Sequence, residues 1–238
     1  MKKLSLLFTK DGLQWHISKG KTVLEEAFHF VTEETSPHLV EQKLDEILKF
    51  DDYKEIEVIS ALNHFSLTPD TFAEHELGYK LISYNAPVDE ANEELMLSVN
   101  KRFAVQFYYT FPKHFYQKIK AKKLPTKFNF SGEKFLNALT VKNHKEIHIN
   151  LYHHQVEFFA FENKKVALYN NLDADSEVDF LYFIMFSLSK INFGTAETHF
   201  HIYGETHENE TFISELRKFV KNIKVHFDNA PKKNFVLS

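Results

Sequence analysis

The chain contains no cysteine, only six glycines and six prolines in 238 residues, and no long hydrophobic run. Without cysteine there is no disulfide, no thiolate metal ligand and no thiol nucleophile, which fits a reducing compartment and an expected cytoplasmic location. The six glycines, Gly12, Gly20, Gly78, Gly132, Gly194 and Gly204, leave little material for phosphate loops. Such loops need glycine to bring backbone N–H groups close to a ligand. The longest apolar stretch, Phe180 to Phe186, falls far short of the roughly 20 residues that span a bilayer, so no membrane segment is expected. The first ten residues alternate and then meet charge at Lys10 and Asp11, which reads as a strand and not as a signal peptide. Positive charge is also not in excess. A formal net charge of −4 argues against a surface built wholly for nucleic acid or anionic lipid.

What is present is a core-forming composition, 43% hydrophobic and 26% charged, with 25 Phe and 10 Tyr to bury. In the first half, Leu4 to Thr9, Leu13 to Ser18 and Thr22 to Phe28 read as three strands joined by tight turns at Lys10-Asp11-Gly12 and Lys19-Gly20-Lys21. Ser36-Pro37 supplies a helix start, and Val40, Leu44, Ile47 and Leu48 keep helical spacing to about residue 50. Ile56 to Leu62 reads as the next strand, and Thr68-Pro69 as the opening of a helix running to about Leu77. Phe103 to Phe111 is expected as a fifth core strand, after an insertion at about 78–101 that holds a small hairpin. A helix from Pro112 to about Lys122, a strand at Lys127 to Phe130 and a helix at Gly132 to Leu139 follow.

The second half replays this order. Ile147 to Tyr152, Val156 to Phe161 and Lys165 to Asn170 are strands, and Ser176 with Asp179 forms a capping-box signature for a helix to about Ile191. That helix is apolar nearly all round, so it is expected to be the most buried one. A strand at Thr198 to Tyr203, a helix at about Glu208 to Asn222 and a strand at Ile223 to Phe227 complete the half. Leu4 to Leu24 also aligns without a gap on Ile147 to Ala167, at a constant offset of 143 residues, with Leu4, Leu6 and Phe8 falling on Ile147, Ile149 and Leu151. The expected architecture is a duplicated α/β fold, βββαβαβ in each lobe, with lobes at 1–143 and 144–238 and a cleft between them.

Three antiparallel strands followed by alternating helix and strand, in duplicate, resemble the ribonuclease-H-like unit of the actin-like ATPase superfamily. Asn170-Asn171, the run Asp179-Phe180-Leu181-Tyr182-Phe183 and the strand ending at Tyr203-Gly204 resemble more specifically an uncharacterised bacterial family assigned to that fold. The resemblance implies two phosphate loops and an adenosine turn. The first loop falls on Thr9-Lys10-Asp11-Gly12, which keeps one Asp and one Gly; the second falls on His153-His154-Gln155, which has neither; the adenosine turn falls on Gly204-Glu205. A magnesium nucleotide needs carboxylates for the metal's waters and close N–H groups for phosphate oxygens. With most of both missing, the expected function is a non-catalytic binding or regulatory scaffold with a protein partner, no cofactor and no catalytic residues. The alternative is a nucleotide-binding or weak ATPase member that uses Mg²⁺ and ATP at Asp11, Gly12 and Gly204.

A second alternative is an RNA-associated factor. Lys113, Lys118, Lys120, Lys122, Lys123 and Lys127 gather around one short helix with Phe115, Tyr116 and Phe128 between them. Against it stands the ordinary reading of a solvated helix face, favoured by the net negative charge. Fourteen histidines, among them His199, His201, His153 and His154, raise the question of a metal. No Glu or Asp stands at a recognised motif spacing with them and there is no His-Glu-x-x-His helix, so no metal site is expected. No Gly-x-Ser-x-Gly elbow is present either. The Asp179 run reads as core packing and not as a docking motif.

Overall fold

The computed structural model describes residues 2–20, 22–30, 38–50, 52–206, 209–226 and 236. The chain divides into two compact units, Met1–Asn137 with Val236–Ser238, and Ala138–Phe235.

In the first unit, β1 (Lys2–Thr9), β2 (Gly12–Lys19) and β3 (Thr22–Phe30) form an antiparallel meander. Helix α1 (His38–Leu48) then carries the chain to β4 (Tyr53–Ser60), which pairs parallel to β1. Parallel pairing needs such a crossover because a tight turn can only reverse the chain. The Ser36-Pro37 start lies outside the described residues. The helix itself buries the expected stripe of Val40, Leu44, Ile47 and Leu48 against Leu4, Leu6, Phe8 and Ile56. Each such side chain contributes about 1.5–3 kcal/mol on leaving water. Trp15 sits in the same core, its indole N–H donating to Glu25 Oε1 at 3.1 Å and its ring lying under the Lys43 ammonium.

Two expectations fail in the stretch that follows. Thr68-Pro69 does not open a helix but ends the strand β5 (Phe65–Pro69), where proline's missing N–H costs no ladder bond. Residues His75–Leu77 form a 3₁₀ turn that leads into α2 (Gly78–Ser83). The strand expected at Phe103 to Phe111 is β7 (Val105–Pro112), and it joins β5 and β6 (Glu93–Asn100) in a separate three-stranded sheet of order β5-β7-β6. Its side chains Phe107 and Tyr109 face Phe130 with ring centroids 5.2 and 5.1 Å away, and Phe111 meets Phe8 of β1 at 5.1 Å, so its apolar content packs this second sheet against the main one. After α3 (Lys113–Lys120), β8 (Thr126–Phe130) takes the fifth place in the main sheet, of order β3-β2-β1-β4-β8, and α4 (Ser131–Ala138) ends the unit.

The second unit is a five-stranded sheet of order β11-β10-β9-β12-β13. Its elements are β9 (Glu146–Leu151), β10 (Gln155–Glu162), β11 (Lys165–Asp173), α5 (Glu177–Lys190), β12 (His199–Gly204), α6 (Glu210–Leu216) and β13 (Asn222–Val225). Again the first three strands are antiparallel, and β12 pairs parallel to β9. Ile147, Ile149, Phe158, Phe200 and Ile202 on one sheet face pack against Phe180, Ile184 and Leu188 of α5 and against Phe212 and Leu216 of α6. Ser176 caps α5, its hydroxyl accepting from Asp179 N at 3.2 Å. The burial of α5 is a correction. Val178, Tyr182 and Phe186 are 73, 60 and 47% exposed, because a helix lying on one sheet can turn only one face to it.

Candidate functional site

The residues singled out from the sequence belong to both units. Asp11 and Gly12 lie at the β1–β2 turn of the first; Asp11 is 5% exposed, its N–H donates to Thr9 Oγ1 at 3.1 Å, and Gly12 pairs with Thr9 in the ladder. Gly204 ends β12 in the second unit at φ +83°, where a Cβ would overlap Asn150 Oδ1 and the Leu151 carbonyl oxygen. Glycine at this position is therefore explained by the close approach of β12 to β9. The segments around it are tied to one another. Glu205 N donates to Leu151 O at 2.9 Å, and the buried Asn209 amide donates to Tyr152 O at 2.9 Å and Glu205 O at 2.7 Å. Beyond this, Tyr152 N closes the β9–β10 turn by donating to Gln155 O at 2.9 Å.

The lysines are partly engaged. Lys118 bridges Glu41 and Asp45 of α1, each at 2.8 Å, and Lys113 donates to the carbonyls of Glu90 and Ala91. The Lys120 ammonium lies 5.9 Å from the Tyr116 ring centroid, while Lys122 and Lys123 occupy the turn after α3, Lys123 at φ +54°.

The densest polar chemistry lies on the face of the second sheet opposite α5, and sequence reading missed it. Glu146 and His148 alternate along β9, and His199, His201 and Tyr203 along β12; parallel register sets His199 beside Glu146 and His201 beside His148. One carboxylate and two imidazoles converge. His148 Nε2 lies 3.3 Å from Glu146 Oε2, and His201 Nε2 lies 3.5 Å from Glu146 Oε1. Lys142 N donates to Oε2 at 2.8 Å, whereas the fully buried Oε1 accepts no well-formed hydrogen bond, although His144 Nε2 stands 3.0 Å away. On the far side of each ring, His148 Nδ1 meets Tyr203 OH and His201 Nδ1 meets His226 Nε2, both at 3.1 Å. The rings of His148 and His201 stack at 4.6 Å, and those of Tyr203 and His226 at 4.4 Å.

Burial, followed by the charge of His201, pushes His148 down to about 4. Burial also lowers His201 and His226, aided by Lys224 and, for His201, by His226 and His199, while Glu146 works the other way on His201. For Glu146 burial acts upward, but the Lys142 N–H and the neighbouring imidazoles bring its carboxyl below the ordinary range. Burial thus favours the neutral form of His148, His201 and His226, while the Glu146 carboxyl is favoured in its charged form. The signal available in the sequence was the period of two: Glu146-x-His148 and His199-x-His201-x-Tyr203 align once β9 and β12 are paired in parallel.

The main sheet of the first unit holds a contrasting set at the equivalent positions. Ser5 faces Glu57 across β1 and β4 as His148 faces His201 across β9 and β12. Lys3 stands where Glu146 does, and Asn129, one residue past the Val58–Phe128 pair, stands where His226 follows the Ile202–Val225 pair. There Glu57 is matched by Lys3 at 2.5 Å, by Lys134 at 3.1 Å and by the Asn129 amide at 3.0 Å. Burial works to raise its carboxyl, and the two ammonium groups outweigh that and hold it below the ordinary value.

A family model described as "Protein of unknown function (DUF3822)" matches residues 1–223. Among solved structures, a Bacteroides thetaiotaomicron protein with an actin-like ATPase fold and unknown function has a TM-score of 0.84 at 18% identity, covering 99% of this chain and 93% of that one. A PilM-PilN type IV pilus biogenesis complex gives 0.61 at 10% identity over 94% of this chain and 88% of the other. The cytoplasmic domain of EpsL, an inner membrane component of the type II secretion system of Vibrio cholerae, gives 0.52 at 8% identity over 100% and 92%. Among curated proteins none matches. At these identities the likeness establishes the fold: a mixed α/β chain of the actin-like ATPase type, as the order of strands and helices implied. No described helix is long and apolar enough to cross a membrane.

Proposed function

Because this chain belongs to the family described as "Protein of unknown function (DUF3822)", we propose its function from its own surface: a non-catalytic scaffold that binds a protein segment. The observation that carries this reading is the outer face of α5. Val178, Tyr182 and Phe186 follow one another at a spacing of four, all exposed, with the rings of Tyr182 and Phe186 stacked at 5.7 Å. Beside this stripe, a groove of about 420 Å³ runs between α5 and α6, lined by Leu181 and Val178 and rimmed by Glu177, Glu210 and Glu215. Contiguous apolar surface of this kind, with a charged rim, suits a partner segment that is apolar on one side and carries Lys or Arg at its edges. Two of the solved structures of this fold come from assemblies, a PilM-PilN complex and a secretion-system component, which supports a docking role for such a fold.

The nucleotide alternative loses its best residue to an ordinary explanation, since packing against β9 already requires Gly204. A thermal-shift screen with ATP, ADP and GTP, each with Mg²⁺, is expected to leave Tm unchanged; a rise that Asp11→Ala removes would establish the nucleotide reading instead. Selection from a displayed library of helical peptides is expected to enrich apolar sequences flanked by Lys and Arg. Their binding should be lost in the Tyr182→Asp/Phe186→Asp variant while its circular dichroism stays native. Equal binding to that variant, or enrichment of acidic peptides, overturns the proposal.

A further inference from the structure

We propose that Glu146, His148 and His201 form a binding site for a divalent transition-metal ion of the zinc class. The three donor atoms lie within 4.8 Å of one another. The carboxylate-to-imidazole separations, 3.3 Å from His148 Nε2 to Oε2 and 3.5 Å from His201 Nε2 to Oε1, are each close to the roughly 3.3 Å edge of a tetrahedron built on zinc–ligand bonds of about 2.0–2.1 Å, with one imidazole beside each carboxylate oxygen. Second, both rings have an outer partner. His148 Nδ1 lies 3.1 Å from Tyr203 OH and His201 Nδ1 lies 3.1 Å from His226 Nε2. Without an ion, His148 Nε2–H donates to Glu146 Oε2 at 3.3 Å; with one bound, both Nδ1 atoms carry the proton toward these outer partners and both Nε2 lone pairs turn to the ion. Fixing the tautomer through the far nitrogen is how proteins orient metal-binding histidines. Third, the buried Oε1 of Glu146 makes no well-formed hydrogen bond, and among the described residues only histidines stand within ion-pair distance of it. A buried carboxylate without a matching charge is costly, and a cation supplies what Lys3 and Lys134 supply to Glu57 in the first unit.

The comparison of the two sheets separates this set from an ordinary polar face. At equivalent positions one sheet neutralises its carboxylate with lysine and amide; the other carries Glu146 where the first has lysine and surrounds it with imidazoles. Seating an ion requires the stacked rings of His148 and His201 to splay. His201, with 16% of its side chain exposed, is the one with room to turn, and its open side leaves the fourth coordination position toward solvent. Nitrogen and carboxylate ligands without sulfur suit Zn²⁺ and Co²⁺ and disfavour Cu⁺.

Co²⁺ reports on the site directly. Titrated into the metal-stripped full chain, it is expected to bind at one equivalent with the intense visible bands of four-coordinate cobalt, to be displaced by Zn²⁺, and to raise Tm. His201→Ala, at the most exposed ligand, should remove the bands. Because a buried variant can fail to fold, His226→Gln provides the second measurement: it leaves all three ligands and is expected to weaken binding about 10- to 100-fold. His153→Ala/His154→Ala, at an unrelated turn, should change nothing. Absence of one-equivalent binding by the wild-type chain, cobalt bands that survive in folded His201→Ala, or bands lost in His153→Ala/His154→Ala overturns the proposal.

Discussion

Gly20 and Gly204 both sit at positive φ, yet their surroundings differ. A Cβ on Gly20 meets nothing within 4 Å, whereas one on Gly204 overlaps Asn150 and the backbone of Leu151. Gly20→Ala is therefore expected to cost about 1 kcal/mol, from backbone strain alone. Gly204→Ala should cost roughly 2–5 kcal/mol, because the obstruction includes main chain that cannot move aside. Urea denaturation of the two variants checks this, and similar losses would show that packing at Gly204 is unimportant. Single residues were also where sequence reading was weakest. Glu146, His148 and His201 carry no motif spacing, since 53 residues separate the two histidines and only the parallel register of β9 and β12 makes them neighbours. Asp11 and Gly204 stood out because turn chemistry is local, and local signals survive in a linear string.

Hairpins and capped helices were legible for the same reason. The meanders β1-β2-β3 and β9-β10-β11, the apolar stripe of α1 and the Ser176 cap all depend on residues within a few positions of each other. Thr68-Pro69 misled because a polar residue before proline suits both a helix start and the end of a strand. Phe65 and Leu67 alternating with Ser66 and Thr68 held the stronger signal. The destination of β7 could not be read at all, since an apolar strand does not declare which sheet it joins. With α5, apolarity all round was mistaken for burial all round. Its cap offers a clean measurement: Ser176→Ala removes the acceptor for Asp179 N and should destabilise the second unit by about 1 kcal/mol, read as a fall in the denaturation midpoint. An unchanged midpoint would mean that packing of Phe180 and Ile184 alone fixes where the helix starts.

The duplication itself was visible in the 143-residue echo, and the structure adds that the copies diverged on one sheet face while the apolar face stayed comparable. That divergence can be tested by reversal. Glu146→Lys alone places a cation among buried imidazoles and is expected to cost about 3–5 kcal/mol. Adding His201→Glu rebuilds the Lys3–Glu57 arrangement in the second unit and should recover at least about 1 kcal/mol of that loss. Strict additivity in a double-mutant cycle would show that the two positions do not communicate. The rebuilt variant should also bind no cobalt.

Trp15, the chain's only tryptophan, lies in the core of the first unit, between Lys43 and Glu25. Its fluorescence, excited at the red edge of the aromatic absorption, is therefore an optical label for that unit's core, placed there by the sequence. The second unit, with phenylalanine and tyrosine in its sheet and helices, is dark to this probe, whereas far-ultraviolet dichroism reports the strands and helices of both units. Emission and dichroism followed through the same unfolding experiment thus watch different populations of residues, and their divergence in time measures which core opens first.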